Sequence, residues 1–153
     1  SEKIKKNEEK FLLSIKRMMP RWVNSLPDSE FLALAEIVNE QGKNIGTGKK
    51  LITVETGAGA STLVFAFYAM KYNGLSLSWD YNSEKGSLIR TICNETMCNY
   101  FKRHIDDYWK LIGHDSLSPY LGMPILHDMV DHVDFFFHDS EHFFGNAEVV
   151  PVR

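Results

Sequence analysis

The sequence has little of what marks several specialised classes of protein. It contains only two cysteines among 153 residues, too few for a disulfide framework, and no apolar run approaches the roughly 18 residues that a membrane span needs. No hydrophobic signal core follows the charged opening residues, and a formal net charge of −3 gives no general attraction to nucleic acid. We therefore expect a cytoplasmic protein with reduced thiols that binds neither a membrane nor nucleic acid.

The residues that are present suit one globular domain. Hydrophobic residues make up 44% of the chain and charged residues 24%, which are ordinary values for such a domain. A chain of this length buries roughly 70% of the surface that its unfolded form exposes. We expect one core that needs neither disulfides nor a structural metal.

Residues 1–45 show the periodicity of helices. Over the first 26 residues, apolar side chains recur at spacings of three, four and seven, which predicts an amphipathic helix that Pro20 kinks or ends. Polar residues and a proline at residues 25–30 predict the start of a second helix, for which Gly42 is a natural stop. We expect a helical cover on the main domain, with a lid or a partner-binding arm as the alternative.

Residues 46–153 alternate between short β-rich runs and longer helical runs. Strands are predicted over residues 51–54, 75–79, 108–112 and 133–137, and helices over residues 63–70 and 84–98. The run at residues 108–112 also suits the end of a helix. The alternation predicts an α/β fold with a parallel sheet.

The loop after the first predicted strand carries the strongest functional signal. Gly57 and Gly59 let the backbone turn tightly and approach a ligand, and the start of the next helix offers unpaired amides. The loop lacks the Gly-Lys-Ser/Thr of a phosphate-binding P-loop, and Thr62 is bulkier than the third glycine of the dinucleotide fingerprint. The loop suits a nucleotide-type ligand outside these two classes.

Two acids flank this loop in the sequence. Glu55 precedes the glycines, where it repels a phosphate and attracts an amino group. Asp80 follows the second predicted strand, where a carboxylate can accept both hydroxyls of a ribose. The pair predicts a nucleoside ligand with a cationic tail and no phosphate, with one carboxylate on either side of it.

The glycine loop belongs to a longer motif. Five positions match the pattern Glu-x-Gly-x-Gly-x-Ser-Thr, namely Glu55, Gly57, Gly59, Ser61 and Thr62. With this motif the sequence resembles the class I S-adenosylmethionine-dependent methyltransferases, particularly the branch that acts on small molecules. The resemblance continues at Asp80, at residues 113–116, which are similar to a Gly-Asp-Ser segment beside the adenine, and at residues 133–142, which are similar to a stretch ending in Ile-Asp-Gly-Asp-His.

The resemblance implies a Rossmann-like, mostly parallel sheet with flanking helices, and direct methyl transfer from S-adenosylmethionine to a small molecule. It assigns cofactor binding to Glu55, Gly57, Ala58, Gly59, Ser61, Thr62, Asp80, Asp115 and Ser116. Two catalytic candidates follow the fourth predicted strand, at the edge where open α/β sheets bind ligands. We expect Asp139 to hold the cofactor's methionine end, a substrate or a metal, and His142 to act as general base or to orient the substrate.

The sequence also departs from the family pattern. His114 is an insertion within the Gly-Asp-Ser match, and His138 and Ser140 replace an apolar residue and a glycine. Only four of the usual seven strands are predicted, so we expect the C-terminal strands of the family core to be missing. An uncovered fourth strand is prone to pairing with another chain, which predicts a homo-oligomer formed through it or through a strand at residues 149–152.

Two other functions stay open at this point. A shortened methyltransferase-like module that binds the cofactor or a partner without catalysis is one, because the C-terminal part of the family core is missing. A metal-dependent hydrolase or oxygenase is the other, because all six histidines lie between residues 104 and 142 among several carboxylates. We expect solvated or hydrogen-bonded histidines, with a divalent metal as the alternative.

Overall fold

The computed structural model describes residues 1–113, residue 130, residues 132–138 and residues 148–151. Over these residues the chain forms four α-helices, α1 (Glu2–Lys16), α2 (Asp28–Lys43), α3 (Ala60–Lys71) and α4 (Ser83–Phe101). The same residues form five strands, β1 (Ile52–Thr56), β2 (Leu75–Trp79), β3 (Trp109–Ile112), β4 (Phe135–His138) and β5 (Glu148–Pro151). Short 3-10 turns at Arg21–Val23 and Ile105–Asp107 precede α2 and β3.

The strands form one mostly parallel sheet. Their order is β3-β2-β1-β4-β5, in which β1 to β4 run parallel and β5 runs antiparallel to β4. Together with the flanking helices this is an α/β, Rossmann-like fold, which confirms the expected fold class. β2 has the predicted bounds, and the ambiguous run before residue 113 is a strand, β3.

The fourth strand is not an open edge of the sheet. β5 lies along it, with Phe135 opposite Pro151 and His138 opposite Glu148. The expectation of an uncovered fourth strand is therefore wrong, because the apolar run near the C-terminus pairs with β4 within the same chain. The edges that the described sheet presents are those of β3 and β5.

The two faces of the sheet bury different side chains, as the alternation along a strand requires. Phe135 and Phe137 of β4 and Trp109 of β3 belong to the main core, to which all four helices contribute. On the other face Val54, Leu77 and Trp79 form a smaller buried cluster. The helices of the described chain therefore pack mainly on one face of the sheet.

The N-terminal helices form the expected cover. Leu12 of α1 and Phe31 of α2 are fully buried in the main core, which they share with α3. Lys71 of α3 donates to the buried carboxylate of Glu8 on α1 at 2.8 Å, and the Tyr72 hydroxyl next to it donates to Asn39 of α2 at 2.5 Å. These contacts fix both helices on α3.

Helix α1 is shorter than the periodicity predicts. It ends at Lys16, and Pro20 adopts an extended conformation that begins the 3-10 turn at Arg21–Val23. Met18 and Trp22, which the predicted helix would place on its apolar face, are 48% and 56% exposed. The connection between α1 and α2 therefore alternates between exposed and buried side chains, since Met19 and Val23 belong to the main core.

The sequence argues against a membrane span and a disulfide framework, and the structure bears on both. Within the described part of the chain, no helix combines the length and the apolar character needed to cross a bilayer. Cys93 and Cys98 are free thiols, as expected. Burial raises the pKa of Cys93 to about 12, so this thiol stays protonated and unreactive near neutral pH.

We predict that Gly74→Ala destabilises the fold, because a Cβ at this turn between α3 and β2 would lie 2.2 Å from the carbonyl oxygen of Leu51. The free energy of unfolding, measured by urea denaturation, should fall by about 2–3 kcal/mol. Gly46→Ala is the matched control, since its Cβ would first meet the Lys49 side chain at 3.4 Å. Equal stability of the two variants would contradict the steric argument.

Candidate functional site

The candidate site lies where the chain turns from the end of β1 into α3. Gly57 has a φ of +86°, which favours glycine, and its N–H donates to the carbonyl of Trp79 at 2.7 Å. The N–H of Gly59 donates to Oγ1 of Thr62 at 3.0 Å. A Cβ on Gly59 would lie 3.1 Å from the carbonyl oxygen of Val23, so the loop also lies close to the N-terminal cover.

The carboxylate of Glu55 is fully buried beneath this loop and accepts hydrogen bonds from three hydroxyls. Ser61 donates at 2.7 Å, Thr62 at 2.5 Å and Ser78 at 2.6 Å. Ser61 and Thr62 begin α3, whereas Ser78 lies directly beside Glu55 on β2. One side chain of β1 therefore holds the start of α3 and the neighbouring strand.

N–H groups that donate to two of these hydroxyl oxygens fix the direction of the hydrogen bonds to Glu55. The indole N–H of Trp109, which can only donate, donates to Ser78 Oγ at 2.8 Å, so the hydroxyl proton of Ser78 is free to point at Glu55. Thr62 Oγ1 likewise accepts from the N–H of Gly59 and donates to Glu55. Two chains of donors thus end on Oε2 of Glu55, and this hydrogen bonding offsets the cost of burying a carboxylate.

Asp80 follows β2 and is only 5% exposed. Its Oδ2 accepts from the N–H of Ala58 at 2.8 Å and from the ammonium of Lys85 at 2.7 Å. Its Oδ1 accepts from the N–H of Asn82 at 2.9 Å. The carboxylate therefore joins the glycine loop, the end of β2 and the first turn of α4.

A cavity of about 420 Å³ lies between the glycine loop and the connection from α1 to α2. This volume falls within the roughly 300–1,000 Å³ that small-molecule pockets occupy. Residues 57–61 form one wall, residues 79–81 with Lys85 form the second, and Trp22, Val23, Ser25 and Leu26 form the third. The cavity is therefore bounded both by the sheet edge and by the N-terminal cover.

The two acids predicted to flank the ligand lie at the same end of the sheet but at different depths. Asp80 lines the cavity, whereas Glu55 is not among the described residues that line it. Ser61 is one of the residues that line the cavity, and its hydroxyl donates to Glu55. Glu55 is on the sheet face that α3 covers, which is why it does not contact the cavity as the sequence argument expected.

The cavity also has side chains that the motif does not mark, among them those of Lys85, Tyr81 and Trp22. Lys85 pairs with Asp80, Tyr81 beside it is 74% exposed, and Trp22 lies in the cover. A lysine shortly after a strand-end acid is a usable sequence signal for Lys85. Trp22 gives no such signal, because the apolar periodicity places it on a helix face.

Four of the predicted site residues cannot be located in the fold. Asp115 and Ser116, assigned to the adenine side, lie outside the described residues, and so do Asp139 and His142. Their roles stay predictions. The remaining cofactor-binding candidates all lie in or directly beneath the glycine loop or at the end of β2.

A histidine also lies at this edge of the sheet. Thr56 Oγ1 is hydrogen-bonded to Nδ1 of His138, across the pairing of β1 with β4. His132 lies at the opposite end of β4, where it approaches Asp134 at 3.2 Å. Among the residues that the structure describes, no three histidine, cysteine or acidic side chains come together as metal ligands.

Comparisons of the chain with protein-family models and with curated proteins find no match. The features of the chain that bear on its function are therefore the motif, the cavity and the contacts of Glu55, Asp80 and Lys85.

We predict that Glu55→Gln lowers the free energy of unfolding by about 1–3 kcal/mol, because the amide N–H₂ of glutamine would face hydroxyl donors. Urea denaturation measures the change. The matched control is Glu36→Gln, an exposed glutamate 3.2 Å from Lys5, for which we expect a loss below about 0.5 kcal/mol. Equal losses in the two variants would show that the three hydroxyls do not depend on the charge of Glu55.

Proposed function

We propose that the protein is a class I S-adenosylmethionine-dependent methyltransferase that acts on a small molecule. The observation that carries this proposal is the position of Asp80, which follows β2 and lines a cavity together with the Gly57 and Gly59 loop. A carboxylate at this place in an α/β sheet is suited to the hydroxyls of a ribose. The match to the methyltransferase motif supports the choice of this nucleoside over others.

The cavity walls suit the parts of this cofactor. Asp80 offers carboxylate oxygens to the ribose, and Trp79 and Tyr81 offer aromatic surface to a flat base.

The charge beneath the loop favours the same ligand class. The Glu55 carboxylate accepts a hydrogen bond from Ser61, a residue of the cavity wall at the start of α3. There it opposes the attraction that a helix N-terminus has for a phosphate, and it favours a ligand with a positive group. Its effect on a ligand is electrostatic and needs no direct contact.

The cofactor supplies a methyl group on a positively charged sulfur. The chain's contribution is to hold the reactants in line and to remove a proton from the acceptor hydroxyl or amine. We assign removal of this proton to His142. We expect Asp139, which follows the last residue of β4 in the sequence, to hold the cofactor's methionine end or the substrate. Trp22 and Leu26 of the cover bound the cavity from the other side, where they exclude water from a bound ligand.

Isothermal titration calorimetry with S-adenosylmethionine and S-adenosylhomocysteine tests the proposal. We predict that the folded protein binds both and that Asp80→Asn weakens binding of both by tenfold or more, because the amide replaces one acceptor oxygen with an N–H₂ donor. Asp107→Asn, an exposed acid on the turn before β3, is the matched control and should bind as the wild type does.

The outcomes of this titration are distinct. Absence of binding at millimolar ligand by folded protein would overturn the proposal. Binding without methyl transfer to any member of a hydroxyl and amine panel would favour a non-catalytic module that binds the cofactor. Activity that requires an added divalent metal, with metal found by elemental analysis, would favour a metal-dependent reaction that uses the histidines near the C-terminus.

We also propose that the protein forms a homo-oligomer through the outer edge of β5. The pairing of β5 with β4 moves the open edge of the described sheet from β4 to β5, whose outer side has no strand beside it among the described residues. Size-exclusion chromatography with light scattering should give a mass above 17.6 kDa. A monomer at concentrations of about 100 μM would contradict this proposal and leave the cofactor proposal untouched.

A further inference from the structure

Lys85 and Asp80 form an ion pair inside the cavity that is proposed to bind the cofactor. From this pair we infer that Lys85 occupies an oxygen of Asp80 that the ribose needs, is displaced when the ribose binds, and then weakens binding of the charged sulfonium form relative to the neutral thioether product. The inference rests on the proposed function. It makes Lys85 a specificity-determining residue of the site.

Asp80 can accept only a limited number of hydrogen bonds, so one of its present donors must leave when a ribose binds. An ionised carboxylate offers about four acceptor positions on its two oxygens. Three are used in the structure, two on Oδ2 by Ala58 and Lys85 and one on Oδ1 by Asn82. One position is left, whereas a ribose diol brings two hydroxyls.

The donor that leaves is Lys85, because the other two are backbone amides held in place. The loop that carries the Ala58 N–H is fixed on one side by the bond from Gly57 to the Trp79 carbonyl. The Asn82 N–H begins α4, where the Asn82 side chain accepts from two amides of the first turn. Lys85 reaches Asp80 through a flexible side chain that is 21% exposed.

The displaced ammonium stays close to the ligand. Lys85 is itself part of the cavity wall, and the charged side chains that line the cavity in the described structure are Asp80 and Lys85. In the described structure the ion pair of Lys85 is with Asp80, whereas Glu55 accepts hydrogen bonds from Ser61, Thr62 and Ser78. The ammonium therefore repels the positively charged sulfonium of the cofactor but does not repel the neutral thioether of the product.

The size of the effect follows from Coulomb's law. At a separation of about 8 Å, a like charge lowers affinity roughly twofold at the dielectric of water and about thirtyfold at an effective dielectric of 20. Removing the charge should shift the affinity ratio of S-adenosylmethionine to S-adenosylhomocysteine toward S-adenosylmethionine by a factor in this range.

Two variants separate the charge of Lys85 from its competition for Asp80. Lys85→Met removes both the charge and the donor, whereas Lys85→Gln removes the charge and keeps a hydrogen-bond donor. Lys10→Met, at an exposed lysine of α1, is the matched control. Circular dichroism confirms folding of each variant before calorimetry with S-adenosylmethionine, S-adenosylhomocysteine, adenosine and 2′-deoxyadenosine.

We expect both Lys85 variants to shift the sulfonium-to-thioether ratio, and Lys10→Met to leave it unchanged. We also expect Lys85→Met to raise the affinity for adenosine by about three- to tenfold relative to the affinity for 2′-deoxyadenosine, since only the diol has to displace the lysine. Lys85→Gln should change this second ratio less, because its amide still competes.

Each contrary result identifies what has failed. Binding of the ligands by wild type and variants with both ratios unchanged would overturn the inference and leave the proposed function standing. Absence of binding of all four ligands by folded wild-type protein would overturn the proposed function and the inference with it. If Lys85→Met does not fold, an unchanged sulfonium-to-thioether ratio in Lys85→Gln still overturns the inference.

Discussion

The geometry of the site depends on one buried carboxylate. Glu55 has no exposed surface, and a charge in that position is tolerated only if its oxygens are well hydrogen-bonded. Ser61, Thr62 and Ser78 supply those bonds from α3 and β2. Because the same contacts fix where α3 begins, they also fix the path of the glycine loop and the amide of Ala58 that meets Asp80.

Glu55 and Asp80 have different surroundings because of where each lies relative to its strand. Glu55 lies on the face that the helices cover, so it holds the loop from below and is not among the described residues that line the cavity. Asp80 lies one residue beyond the end of β2, where the chain leaves the sheet, so its oxygens reach the cavity. Lys85 then balances the charge of Asp80 in the absence of a ligand.

The parts of this arrangement that are local in sequence were predictable. The bounds of β2, the strand character of β3 and the placement of the glycine loop before α3 follow from hydrophobic runs and turn residues. The depth of Glu55 was not predictable, because it depends on hydroxyls that three elements bring together. The pairing of β5 with β4 and the exposure of Trp22 likewise depend on contacts between distant segments and on a helix that stops four residues before Pro20.

The connection between α1 and α2 makes the N-terminal segment part of the candidate site. Trp22 and Leu26 bound the cavity, and the carbonyl of Val23 lies against Gly59. A division of the chain at residue 46 therefore separates two walls of one cavity, although it falls between regular elements. A fragment starting there would retain the whole motif yet lose the wall that Trp22, Val23, Ser25 and Leu26 form.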